Sequence, residues 1–188
     1  MGIKTLAIFF SLLSITFSCG VSPALIEGRP VFWSQKIQCA DFYNLYKVDQ
    51  NLFRSEQPTK NGMKGLETMG VKTILNVRNI RNDRSDGKGL NLELKHYSIN
   101  TWTISYDEVI QALKIIQESP KPVLIHCKHG SDRTGCIVAV YRMAFMGWSK
   151  ENAIEEFKSG GYGYHDKAFP NVLRLLQAID VGALRKSL

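Results

Sequence analysis

The stretch His126-Cys127-Lys128-His129-Gly130-Ser131-Asp132-Arg133-Thr134-Gly135 concentrates the groups able to do chemistry. It follows 122–127, where Val123-Leu124-Ile125 reads as a strand buried on both faces. It precedes 134–146, which is apolar almost all round and so reads as a core helix. A loop that ends at a helix start turns backbone N–H groups and the positive end of the helix dipole toward one spot, which makes an anion cradle. Cys127 heads the loop in that field, which favours the nucleophilic thiolate. Gly130 permits the tight turn. Arg133, six positions on, can return across the loop and offer its planar fork to two phosphate oxygens. The arrangement predicts attack of the Cys127 sulfur on phosphorus. The N–H ring and Arg133 would hold the equatorial oxygens, and the product would be a phosphocysteine.

The leaving oxygen needs a proton, for which a positioned carboxyl group is the usual donor. Two residues compete. Asp132 lies inside the loop, whereas Asp107 lies in Ser105-Tyr106-Asp107-Glu108, where favourable helix-start charge explains it equally well. Position alone does not choose between them. Lys128, His129, Gly130 and Ser131, with Arg133, form the candidate substrate-binding set. His96 and His129 lack a partner set at metal-ligand spacing, and a thiolate mechanism needs no metal, so neither metal nor cofactor is expected. Cys136 reads as a small core hydrophobe with a conceivable disulfide to Cys127, and Cys39 as a free thiol or a disulfide partner. Gly160-Gly161-Tyr162-Gly163-Tyr164-His165 reads as a helix-ending loop, with Tyr164 or His165 as conceivable pocket neighbours.

The H-C-x5-R-[ST] spacing resembles the cysteine-dependent protein tyrosine and dual-specificity phosphatase superfamily. Five matched positions at roughly 5% usage each would arise by chance on the order of once in ten thousand chains of this length. The resemblance implies Cys127 as nucleophile and Arg133 as phosphate clamp, with His126 supporting the loop and the thiolate. It implies that Thr134 hydrogen-bonds the sulfur as it leaves. Most of the superfamily takes the acid from a separate upstream loop, which would be Asp107, but secreted bacterial phosphatases with an H-C-x-x-G-K-D-R-T-G loop use the Asp before the Arg, here Asp132. The resemblance therefore prefers Asp132 and leaves Asp107 open, with Ser131 replacing the Lys. The runs 51–58 and 70–78 are similar to small dual-specificity-like phosphatases of bacteria, plants and fungi, over roughly residues 45–180. A shallow pocket is implied, acting on phosphoproteins or on inositol phosphates and phospholipids. A rhodanese-type sulfurtransferase, whose active loop is generally shorter, and a non-catalytic phosphate-binding module are the rivals. Arg54 and Ser55 carry part of the resemblance and read as structural hydrogen-bonding residues.

The elements that must position this loop alternate between strand and helix. Residues 45–48 and 51–54 flank the turn-prone Asp49-Gln50 and read as a hairpin. Residues 59–69 form a helix stopped by Gly70, and 71–77 a strand. The polar stretch 78–89 reads as a mobile loop whose Arg78, Arg81, Arg84 and Lys88 either meet an anionic substrate or, the preferred reading, are simply solvated. Residues 96–99 read as a strand, and Ser105 with Glu108 opens a helix through a capping box. Two further amphipathic helices fall at 149–158 and 171–179. The expected fold is α/β, with a central mostly parallel sheet of four to five strands flanked by helices and the ligand beyond the strands' carboxyl ends.

Of 188 residues, 44% are hydrophobic and 22% charged, which suits one globular domain. Lys plus Arg at 24 against Asp plus Glu at 17 gives +7, a bias suited to anionic ligands. The basic residues are scattered, so nucleic acid is not expected as a partner. Lys4 precedes an apolar run over 5–17 and the small residues Ser18, Cys19 and Gly20. That is signal-peptide grammar, well short of the ~20 residues that span a bilayer. The expected layout is a signal over 1–18, a tether over 19–44 and a catalytic domain over 45–188. The protein would be exported: periplasmic, secreted, or held to a membrane by a lipidated Cys19. The oligomeric state has no signature in the sequence.

Overall fold

Residues 29–188 are described by the structure, a computed structural model. The signal expected over 1–18, Cys19, and the tether as far as residue 28 lie outside them. Six strands form one sheet: β1 (Gln35–Lys36), β2 (Tyr46–Lys47), β3 (Leu52–Ser55), β4 (Thr73–Asn76), β5 (Glu93–His96) and β6 (Val123–His126). Their order is β1-β2-β3-β6-β4-β5. β3, β6, β4 and β5 run parallel, while β1 and β2 pair antiparallel at one edge. The helices are α1 (Lys60–Thr68), α2 (Tyr106–Glu118), α3 (Asp132–Phe145), α4 (Lys150–Ser159), α5 (Pro170–Ala178) and α6 (Val181–Lys186). The expected α/β class with a mostly parallel sheet holds, with six strands rather than four or five.

Local chemistry explains the elements that carry the site. Asp49 Oδ1 accepts from the N–H groups of Asn51 and Leu52, closing the β2–β3 turn. Thr59 Oγ1 caps α1 at the N–H of Gly62, and Gly70 beyond its end adopts φ +86°. Ser105 and Glu108 form the expected capping box on α2. β6 lies between β3 and β4 and is buried along its whole length, which accounts for its unbroken apolar run. Alternate residues serve opposite faces. Val123 and Ile125 pack with Val109, Leu113 and Ile137 on one side. Leu124 packs with Phe53, Leu66 and Ile74 on the other. Each such fully buried aliphatic side chain contributes roughly 1.5–3 kcal/mol.

Three expectations need correction. Residues 29–44 belong to the domain rather than to a tether: Arg29 donates to Gly160 O and the Tyr162 hydroxyl, Ser34 donates to Glu156, and Ile37 and Asn44 are buried. These contacts are single residues spread along an aperiodic stretch, so no period advertised them. The strand expected at 96–99 is β5 at 93–96, an edge strand whose Glu93 and His96 face solvent and so interrupt the apolar pattern. The stretch 78–89 is not a wholly solvated loop, because Asp83 is buried within it.

α4 is fastened by a buried ion pair. Arg142 Nε donates to Glu156 Oε2 at 2.8 Å and its Nη2 to Oε1 at 3.0 Å, while Ser34 and Tyr162 also donate to Oε1. Burial works against the charged Glu156, but Arg142 and the Ser34 hydrogen bonds outweigh it and hold the carboxyl below its usual 4.5. A depressed carboxyl contributes stability above its unfolded value that is lost as pH falls through the folded value. The urea midpoint of the wild type should therefore drop as pH is taken below about 4.5. Glu156→Ala, which strands a buried guanidinium, should lower unfolding stability by about 3–5 kcal/mol at neutral pH.

Candidate active site

Ser55, His126 and Asn76 are paired in register, so β3, β6 and β4 end level with one another. The chain leaves the sheet there, runs through Cys127 to Ser131, and enters α3 at Asp132. Three successive carbonyls of this loop are turned outward by donors from other elements. Lys128 O accepts from the Gln57 N–H at 3.2 Å, His129 O from Asn44 Nδ2 at 2.7 Å and Gly130 O from Arg54 Nη2 at 2.7 Å. With the carbonyls outward the amides turn inward. Among the described residues the N–H groups of 128–133 have no backbone acceptor. Amides facing the centre of such a loop make an anion nest, to which the N-terminus of α3 adds its partial positive charge.

Each outward donor is itself anchored. Glu56 accepts from the N–H groups of Tyr43 and Asn44, which fixes Asn44. The Arg54 guanidinium is fully buried and lies 3.6 Å from the centroid of the Tyr162 ring. Its burial lowers its pKa, opposed by Tyr162 and Glu156. Gly130 has φ +73°, and a Cβ there would come within 2.5 Å of the Ser55 carbonyl. The site thus demands glycine twice over, once for conformation and once for space.

The predicted residues fall as follows. Cys127 is 2% exposed at the head of the loop. Arg133 reaches the chain beyond the ends of β4 and β5, its Nη1 donating to Ile99 O at 3.2 Å, while its buried Nε has no partner among the described residues. Thr134 Oγ1 is likewise buried without a partner among the described residues. His126 is fully buried behind Cys127. Its Nδ1 meets Cys127 O at 3.1 Å and its Nε2 meets Asp83 Oδ2 at 2.8 Å, which fixes the ring. Burial opposes the ionised Asp83, yet His126, Gln57 and Asn76 outweigh it and lower its pKa. Ser131 donates to Tyr162 O at 2.6 Å and so ties the loop to the 160–165 turn. Cys136 is a free thiol, separate from Cys127, and burial pushes its pKa up to about 12, so it acts as an inert core residue.

The two carboxylates differ sharply. Asp132 is 5% exposed and accepts from the His165 N–H at 3.0 Å, with His165 Nδ1 2.9 Å from its Oδ2. Asp107 is exposed in the first turn of α2, with no hydrogen bond or ion pair to the loop among the described residues. His129 has partners after all: it stands beside Asp132 and His165, its pKa lowered by burial and then by Lys128 and His165. Tyr164 instead turns to Phe169 O and the Phe157 ring. A groove of about 300 Å³ beside the loop is bounded by Tyr43, Asn44, His129, Ser131, Tyr162 and His165.

Sequence reasoning passed over Asn44 and Asp83 in these roles, and it named Arg78 only as one of four basic loop residues that could meet an anionic substrate. Arg78 donates to Gln57 Oε1, and its pKa is lowered by burial and by the charges of Arg81 and Arg133. These residues sit in aperiodic polar stretches, and only the fold brings them to the loop.

The sequence pattern of the tyrosine phosphatase family matches residues 41–172, spanning the loop and every residue that anchors it. The chain belongs to the tyrosine phosphatase family. It is 32% identical over 159 residues to the dual specificity protein phosphatase TpbA of Pseudomonas aeruginosa, covering 84% of this chain and 71% of that one. It is 28% identical over 155 residues to the inositol diphosphatase DSP3 of Arabidopsis thaliana, covering 77% and 74%. A crystal structure of TpbA in complex with pTyr superposes with TM-score 0.76 at 29% identity, over 85% of this chain and 97% of that one. The catalytic core of Siw14 shares the fold, with TM-score 0.67 at 20% identity over 79% and 92%. The protein is therefore an enzyme of the tyrosine and dual-specificity phosphatase type, and the sulfurtransferase and inert-module readings fall away.

The role of Gly130 is directly testable. Gly130→Ala should lower kcat/KM by about 10²-fold or more, because a displacement of order 1 Å misplaces the amides. Far-UV circular dichroism should be unchanged. Turnover within twofold of wild type would contradict this reading of the loop.

Proposed function

We propose that the enzyme hydrolyses phosphotyrosine in proteins through a phosphocysteine on Cys127. The observation that carries the reading is the loop itself: the carbonyls of 128–130 are taken by donors from other elements, the N–H groups of 128–133 have no backbone acceptor among the described residues, and Cys127 is buried at its head. The thiolate attacks phosphorus, forming the S–P bond as the P–O bond to the tyrosyl oxygen breaks. Asp132 gives its proton to that leaving oxygen. Its contact with half-exposed His165 supplies a route for reloading from solvent. A water then attacks the phosphocysteine, Asp132 takes back a proton, and phosphate and the Cys127 thiolate are released. In this reading Thr134 Oγ1 donates to the departing sulfur, and Arg133 with the loop amides holds the equatorial oxygens throughout. His126, Lys128, His129 and Ser131 shape the nest rather than change bonds.

Similarity to TpbA, solved with pTyr, supports a protein substrate. A second reading, an inositol polyphosphate substrate, draws on Arg78: with Lys128 and Arg133 it gathers more positive charge at the loop than one phosphate requires.

Phosphate release from a phosphotyrosine peptide and from inositol hexakisphosphate, with Cys127→Ser as blank, separates the two. The peptide should be turned over with the higher kcat/KM, and Cys127→Ser should abolish release from both. Asp132→Asn should slow the peptide more than p-nitrophenyl phosphate, whose leaving group needs no proton, whereas Asp107→Asn should slow neither. Preference for the inositol compound would favour the second reading. Turnover surviving in Cys127→Ser would sink the mechanism.

A further inference from the structure

We propose that His129, Asp132 and His165 form a binding site for a divalent transition-metal ion at the mouth of the catalytic loop, with Zn²⁺ as the ion that fits it. The three side chains come from separate places: the loop, the first residue of α3, and the 160–165 turn. One ligand atom from each lies within 4.8 Å of the others. A tetrahedral site with bonds of about 2.0–2.1 Å has ligand–ligand edges of about 3.3 Å. Asp132 Oδ2 and His165 Nδ1, at 2.9 Å, already stand close to one such edge. His129 completes the set once its ring closes in by about 1.5 Å at most, the difference between 4.8 Å and that edge.

The site has one rigid member and two adaptable ones. The Asp132 carboxylate is 7% exposed and held by the His165 N–H, whereas the His165 side chain is 45% exposed, its ring already against Asp132. The ring centroids of His129 and His165 are 5.2 Å apart, so both imidazoles can turn toward one ion. Two imidazoles and one carboxylate, with a fourth position open to the adjacent groove, form a donor set that zinc favours. The nearby charges of Lys128 and Arg133 oppose a cation held by charge alone. Mg²⁺ and Ca²⁺, which depend on oxygen ligands, are therefore excluded. A metal at Nδ1 of His165 displaces the proton that this ring shares with Asp132 and occupies the carboxylate. Zn²⁺ should accordingly inhibit turnover, a consequence that rests on the proton-donor role given to Asp132 above; the site itself does not.

Calorimetric titration of purified Cys127→Ser protein with ZnCl₂ tests the site with the competing thiolate removed. One Zn²⁺ per chain should bind, and MgCl₂ should give no heat. His165→Ala and His129→Ala should each weaken binding by about tenfold or more, with circular dichroism confirming that both variants are folded. In the protein with both histidines intact, imidazole ¹⁵N spectra should place the ion on the His129 and His165 rings. Absence of binding, or affinity unchanged in both histidine variants, would overturn the proposal. If the rings bind zinc while the active enzyme keeps full turnover at saturating Zn²⁺, the site stands and the proton-donor assignment of Asp132 fails.

Discussion

Everything at this site depends on the outward pull on three consecutive carbonyls. Peptide groups are dipoles with fixed geometry, so a carbonyl drawn away from the loop centre leaves amides facing inward. Left alone, residues 128–130 could satisfy those groups in many other turns. The donors Gln57 N–H, Asn44 Nδ2 and Arg54 Nη2 select one. They arrive from the chain that follows β3, the segment that precedes β2, and β3 itself. The antiparallel edge and its approach are thus part of the catalytic apparatus, although they touch no substrate.

Buried charge is the means by which these supports are held. Arg54, Asp83, Arg142 and Glu156 are all buried, and each has a polar or charged partner. Removing one member would leave its partner uncompensated in a low-dielectric interior, which costs several kcal/mol. The same economy governs Tyr162, whose ring lies against Arg54, whose hydroxyl donates to Glu156 and whose carbonyl accepts from both Asn44 and Ser131. One aromatic residue thereby couples the ion pair under α4 to the catalytic loop. A rigid loop follows, with amides that need no reorganisation as charge develops on phosphate.

The chemistry was legible in sequence because it is local. Cys127, Gly130 and Arg133 sit within one loop, and the strand and helix around them announce themselves by unbroken apolarity. The sheet order, the 29–44 segment and Asp83 were not legible. Asp83 reaches His126 across 43 residues and Asn44 reaches His129 across 85. Such contacts leave no period and no spacing to read. His129 illustrates the limit most plainly: it lacked ligand partners along the chain, yet the 160–165 turn brings His165 beside it through the contact with Asp132, 33 residues away.

The most direct test of the central claim is an amide ¹H–¹⁵N titration of Cys127→Ser protein with inorganic phosphate. The account predicts that the N–H resonances of residues 128–133 move downfield together and saturate at one site. Arg54→Met in the same background, which frees the Gly130 carbonyl to turn inward, should weaken that saturation. Phosphate shifts confined to exposed lysines, or loop amides unmoved at saturation, would contradict it.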